Sequence, residues 1–221
     1  VNTKTLIDAV LNYTDNIGAT DADNATRRAR MLQYAQEVWD YVWLYADWHW
    51  AYRTATGGSV GSDGVMAVPT GFSRFGGKGG LFNAANGRKC EEEYDMAMFQ
   101  HRYLGGYRDN LEKFTRWGQN TTTGAQQFRF YATSGTITSV YLAVPPTLVD
   151  IDDTTTNNLF FIPAQYHNTV LLPGIVAKTR TSKGDMRDFD KDFLKGLGLM
   201  HAKEVVNQTG AQMLPLTRGM W

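Results

Sequence analysis

The chain has 221 residues, with 22 basic and 22 acidic side chains, a single cysteine and 43% hydrophobic residues. Zero formal charge excludes a broadly basic nucleic-acid coat, and residues 1–60 and 181–221 are each close to balanced as well. A lone Cys90 excludes an internal disulfide framework and any cysteine-based zinc site.

This length suits one large domain or two small ones with a real core. No apolar run approaches the ~18 residues of a membrane span, and the N-terminus lacks a basic-then-apolar signal pattern. The expectation is a soluble protein made inside a cell. Sequons at Asn12, Asn24, Asn120 and Asn207 then count as chance matches.

The first helix is expected over residues 3–13, where Leu6, Ile7, Val10 and Leu11 recur at helical spacing before Asn16 and Gly18. A longer helix should begin near Asp21 or Asp23, whose carboxylates suit a helix N-terminus, and run to about Asp47. Leu32, Ala35, Trp39, Val42 and Ala46 mark one of its sides. From Trp48 the period changes. Trp48, Trp50 and Tyr52 alternate with His49, Ala51 and Arg53, which predicts a strand with two unlike faces.

Residues 57–87 are glycine-rich and read as loops with short strands, Val65 to Val68 among them. Residues 91–103 suit a short helix with acids at its N-terminal end and a stop at Gly105-Gly106. The clearest β signal is 127–143, two β-branched and aromatic runs around Thr133-Ser134-Gly135, which predicts a hairpin. Pro145-Pro146 ends it, and the acidic, Thr/Asn-rich stretch that follows reads as a loop.

Helical signals return at Pro163 and run to about Arg180, with Pro173-Gly174 expected to kink or split the segment. Asp185 offers an N-cap for a helix to about Val206, with Phe193, Leu197 and Met200 on one face. Beyond residue 208 neither period is present, and an extended tail is expected. The fold class is therefore α+β. Helices of residues 1–50 and 160–207 form a discontinuous helical bundle, residues 51–159 an inserted β-rich subdomain, and 208–221 an extended tail.

Catalytic signals are weak. Gly77-Lys78 fails the phosphate-loop pattern, because Phe72 stands where the first glycine belongs and Gly79 where a hydroxyl belongs. No two of His49, His101, His167 and His201 are four residues apart, so the helical two-histidine metal pattern is missing. Cys90 has basic neighbours in Arg88 and Lys89 and acidic ones in Glu91 to Glu93, which gives no reason to name it a nucleophile. The reading is a non-enzyme without cofactor or metal. A dispersed catalytic site would show itself by bringing His49, His101 or His167 close to acidic residues.

The aromatic distribution is the stronger anomaly. Eight of 28 aromatic residues fall within positions 34–52. At 100° per residue, Trp39 and Trp43 lie within about 40° of each other, with Tyr34, Tyr41 and Tyr45 on the opposite side. A surface helix needs one apolar stripe, not two. Either this helix is buried on both sides or one face meets another subunit, since Trp and Tyr concentrate in interfaces. The interface candidates are Tyr34, Trp39, Tyr41, Trp43, Tyr45, Trp48 and Trp50. A third reading is a carbohydrate-binding or tail-fibre-associated module that stacks sugars on Trp48, Trp50 and Tyr52. The tail is the second anomaly. Met213, Leu214, Pro215, Leu216, Met220 and Trp221 make it apolar enough to dock on a partner.

In their order, these features resemble the head-to-tail adaptor (connector, head-completion or tail tubular) proteins of tailed bacteriophages. The matching pieces begin with LIDAVLNYTD, a Trp-rich helix ending in ADWHWAYRT, and VPTGFSRF, which fits a Leu/Val-Pro-x-x-Phe/Leu stretch. FRFYATSGTITSVYLAVPP and the helical pair IPAQYHNTVLLPGIVAKTRTSKGD and KDFLKGLGLMHAKE complete the order. Departures are the glycine-rich loop 76–80 and Pro173-Gly174, where an uninterrupted helix is expected. The resemblance implies a homo-oligomeric ring, typically twelve-fold, beneath the portal protein at the virion's head–tail junction. It also implies attachment of tail or nozzle proteins, a channel through which DNA slides without sequence-specific binding, and a C-terminal segment that docks on the portal. It implies no catalytic residues. Near-neutral charge suits a channel that must not grip phosphates.

Overall fold

The computed structural model describes residues 3–14, 24–106, 109–149, 162–181 and 191–209. The chain divides into two compact units, Val1–Trp50 with Pro145–Trp221 and Ala51–Val144. Among the described residues, the elements of the first unit are helical and the strands all lie in the second, an α+β composition.

In the helical unit, α1 (Thr3–Thr14) buries Leu6, Ile7, Val10 and Leu11, the stripe its period predicts. α2 (Asn24–Tyr45) buries Met31, Ala35, Val38, Trp39, Val42 and Trp43. Its expected caps, Asp21 and Asp23, lie outside the described residues, as does Asp185. A short 3₁₀ turn (Ala164–Tyr166), a π turn (His167–Leu171) and α4 (Leu172–Thr181) follow one another without a break. Here α3 is the helix of the β unit, described below. α5 (Lys191–Thr209) closes the unit, burying Phe193, Leu197 and Met200. α1, α2 and α4 pack on one another, and α5 packs on α4 and the π turn.

The split expected at Pro173-Gly174 takes the form of a change of register, with the π turn ending at Leu171 and α4 beginning at Leu172. Proline lacks the N–H that an α-helix needs, and the backbone just before it runs in the wider register, with Leu172 N–H donating to the His167 carbonyl. Pro173 therefore falls in the first turn of α4, where a missing donor costs little. Gly174 has a packing role. A Cβ there would lie 2.7 Å from Val38 and 2.8 Å from Phe193, so its absence lets α2 and α5 approach α4. Gly196 of α5 does the same against the Thr169 carbonyl oxygen, which a Cβ would overlap.

The strand expected from Trp48 to Tyr52 is corrected. Residues His49–Ala51 form a 3₁₀ turn and the strand starts only at Tyr52. Trp48 turns inward because its indole Nε1 donates to the Val42 carbonyl at 2.6 Å, capping the end of α2. Past the last strand the chain is tied back to α2 by Gln36, whose Oε1 accepts from Leu148 N–H at 2.7 Å.

The β unit holds β1 (Tyr52–Ser59), β2 (Val65–Ala67), β3 (Phe72–Arg74), β4 (Gly80–Asn83) and β5 (Glu91–Glu92). They are followed by α3 (Met96–Leu104), β6 (Asp109–Gln119), β7 (Gln126–Ala132) and β8 (Thr136–Ala143). In one sheet β8 pairs with β1 on one side and with β3 and β4 on the other; the second sheet runs β2-β7-β6-β5. Met66, Leu81, Phe114, Phe128, Phe130 and Ile137 form a shared core drawn from both sheets.

The predicted hairpin at 127–143 is not formed. β7 and β8 are both strands, but they belong to different sheets. The chain turns a corner at Gly135, whose carbonyl accepts from Val60 N–H at 3.0 Å and whose missing Cβ leaves room for Leu111. β7 instead pairs antiparallel with β6, a strand absent from the sequence reading, through a loop closed by Asn120 N–H on the Ala125 carbonyl at 2.7 Å.

The helix expected over 91–103 is likewise shorter. It starts at Met96, capped by Asp95, whose side chain accepts from Met98 N–H. The acids before it are spent on pairing. Glu91 and Glu92 form a parallel bridge with β6, and Glu92 accepts from Arg116 Nε at 2.7 Å. The stop at Gly105-Gly106 is observed, with Gly106 at a φ of 94°.

Candidate interaction surface

The aromatic residues of α2 and the turn after it sort into two sets. Trp39, Trp43 and Trp48 are buried within the helical unit, and Trp50 is half-buried against all three. The Trp39 and Trp43 rings are 5.3 Å apart and the Trp48 and Trp50 rings stack at 5.7 Å. Aromatic pairs at such separations add stability beyond the area they bury. These tryptophans are core, and the three buried ones offer no surface to a neighbouring subunit. A sugar-stacking strip through Trp48 is closed for the same reason.

The tyrosine side is different. Tyr34 is half-buried, while Tyr41 and Tyr45 remain 40% and 46% exposed with Leu44 at 53%. Tyr41 and Tyr45 also lean on α5. Tyr41 lies 5.9 Å from the Phe193 ring and Tyr45 lies 5.9 Å, edge-on, from the His201 ring. On α5 itself, Leu194, His201 and Val205 fall within about 40° of one another at 100° per residue. Leu194 and Val205 are 45% and 42% exposed. Tyr41, Leu44 and Tyr45 of α2 and Leu194 and Val205 of α5 are thus exposed apolar side chains on two helices that meet through the Tyr41–Phe193 and Tyr45–His201 contacts. The sequence reading named the two tyrosines but missed Leu194 and Val205, whose signal was a second apolar stripe on α5 beside the buried one.

Glu204 is the buried carboxylate of α5, and His49 Nδ1 lies 2.5 Å from its Oε2, with the imidazole 55% exposed. His49 therefore meets the condition set for a dispersed catalytic site. A carboxylate can orient an imidazole, but general-base chemistry also needs a reacting group within reach. His201, three residues before Glu204 on α5, lies edge-on to Trp48 at 5.8 Å. His101 is exposed and His167 is buried with Nε2 on the Ile162 carbonyl at 2.9 Å. Among the described residues no group of three His, Cys, Asp or Glu side chains is placed to hold a metal ion.

Cys90 is buried, and its Sγ donates to the Leu111 carbonyl at 3.4 Å. Burial pushes its thiol up to about 11, with the Glu112 charge adding to the shift and a backbone hydrogen bond from Asn83 opposing it. The neutral thiol predominates at physiological pH, the opposite of an activated nucleophile.

The tail candidates Met213, Leu214, Pro215, Leu216, Met220 and Trp221 lie outside the described residues. No described helix is long and apolar enough to cross a membrane. No protein-family model and no curated protein matches this chain.

Proposed function

We propose that the chain is a structural subunit of a bacteriophage head-to-tail connector, not an enzyme. In this reading copies assemble as a homo-oligomeric ring, twelve-fold as in the proteins it resembles, between the portal and the tail or nozzle proteins. DNA passes through the ring without sequence-specific contacts, and the assembly sits at the head–tail junction of the virion. The terminal helices act as a bundle, the β unit is an insertion in it, and the C-terminal tail, residues 208–221, docks on the portal.

The observation that carries the reading is the exposure of Tyr41, Leu44 and Tyr45 of α2 and of Leu194 and Val205 of α5, two helices that meet. Clustered exposed apolar groups mark protein contact sites more often than solvated surface. It is joined by the division of the chain, in which the segments on either side of the β unit in sequence belong to one helical unit. The carbohydrate-binding alternative loses its support, because Trp48 spends its surface in the core.

Removal of residues 210–221 tests the docking role. Truncated protein should fail to co-sediment with portal rings while its circular-dichroism spectrum stays nearly unchanged. Undiminished portal binding would contradict the assignment of the tail, and loss of the helical spectrum would make the segment part of the fold.

A further inference from the structure

The glycine-rich loop 76–80, which fails the phosphate-loop pattern, lines a cavity of about 640 Å³ in the β unit. That volume is in the range of small-molecule sites. Its apolar wall is made by Phe75 and Phe114, whose rings meet edge to face at 6.1 Å. Another side is backbone. Gly79 N–H donates to the Gly76 carbonyl at 2.8 Å to close a tight turn, and Gly80 follows directly. No Cβ fits at Gly79, where the Val140 carbonyl oxygen would lie 2.8 Å away.

Charge on the lining is uneven once pairing is considered. Glu92 is held by Arg116 at 2.7 Å, and Glu91 faces Lys113 at 3.7 Å. Lys89 has no such partner among the described residues. Its stem lies across Gly80, with Cε 2.6 Å and Nζ 3.4 Å from where a Cβ would stand. Glycine at 80 therefore lets the lysine lie flat along the cavity rim, with its ammonium beside the glycine backbone. An ammonium group without a counter-ion, beside an aromatic wall, selects for a ligand with negative charge and an apolar body.

We infer that this cavity binds a small organic anion, a carboxylate or phosphate ester, with the charge on Lys89 and the apolar body on Phe75. The site belongs to the β unit alone and stands or falls independently of the connector reading. Carboxylate and phosphate share this chemistry, so both belong in the test.

The experiment is an amide chemical-shift titration of the full chain with phenyl phosphate, benzoate, inorganic phosphate, benzyl alcohol and benzylamine. Saturable shifts at Gly76, Gly79, Gly80 and Lys89 are expected with phenyl phosphate or benzoate, and not with benzylamine. Lys89→Met, which keeps the stem and removes the charge, should weaken binding about tenfold, the loss of one charge-assisted contact. Phe75→Leu should weaken phenyl phosphate toward the level of inorganic phosphate. Because Lys89 is exposed, its variant should keep the remaining amide spectrum. Equal binding of benzylamine or benzyl alcohol, equal binding of inorganic phosphate, an unaffected Lys89→Met variant, or no saturable binding by any probe would overturn the inference.

Discussion

His49 and Glu204 meet at the end of the helical unit, with the imidazole Nδ1 2.5 Å from a carboxylate that is 4% exposed. The contact fastens the last turns of α5 to the 3₁₀ turn that follows α2. Taking a carboxylate out of water is costly unless a partner meets it. His49→Ala leaves the charge buried without that partner and should cost about 2 kcal/mol of stability. Glu204→Gln removes the charge while keeping the shape, and should cost less. Urea midpoints of the two variants check the order; an equal or larger loss for Glu204→Gln would contradict it.

Asp8 links α1 to α2 through the guanidinium of Arg28. Burial alone would raise its carboxyl, but the hydrogen bond and charge of Arg28, helped by Lys4, hold it below the ordinary value of 3.8. A carboxylate with a depressed folded pKa stabilises the fold above its unfolded pKa and loses that contribution as pH falls through the folded one. Stability measured from pH 6 downward should therefore fall below pH 4 less steeply in Asp8→Asn than in the parent. Identical pH profiles would show that the pair contributes nothing.

Two glycines of α5, two residues apart, should respond in opposite directions. Gly196 abuts the Thr169 carbonyl oxygen, which belongs to a π turn and cannot move aside cheaply. Gly198 has nothing within 4 Å of where a Cβ would stand. Gly196→Ala should destabilise by about 1–3 kcal/mol through overpacking. Gly198→Ala should stabilise by about 1 kcal/mol through helix propensity. Thermal midpoints decide, and a matching shift in both variants would contradict the close approach of α5 to the π turn.

The helices were legible and the sheet pairing was not. Leu6, Ile7, Val10 and Leu11 announce α1 because a 3.6-residue period needs only local sequence. The runs that became β7 and β8 are equally clear as strands, and Thr133-Ser134-Gly135 looks like a turn between them. Which sheet each strand joins depends on β1 and β6, partners far along the chain or hidden from view. β6 escaped notice because Glu112, Lys113, Arg116 and Gln119 dilute its pattern around the buried Phe114. The crowding of aromatics on α2 was visible in the sequence. Which rings become core was set by α4 and α5, more than 100 residues later.

The outer tyrosine side of α2 gives the next expectation. Leu44→Ser and Leu194→Ser change exposed side chains and should leave the unfolding transition within ~0.5 kcal/mol of the parent. If this surface joins copies, the double variant should sediment as a smaller species than the parent at the same concentration. Unchanged sedimentation would remove the surface from the interface.

The central claim is assembly, and electron microscopy of the chain mixed with portal protein tests it most directly. The account predicts a closed ring of chain density stacked coaxially on the portal, with an open central channel. A chain that stays monomeric and leaves the portal bare would contradict it.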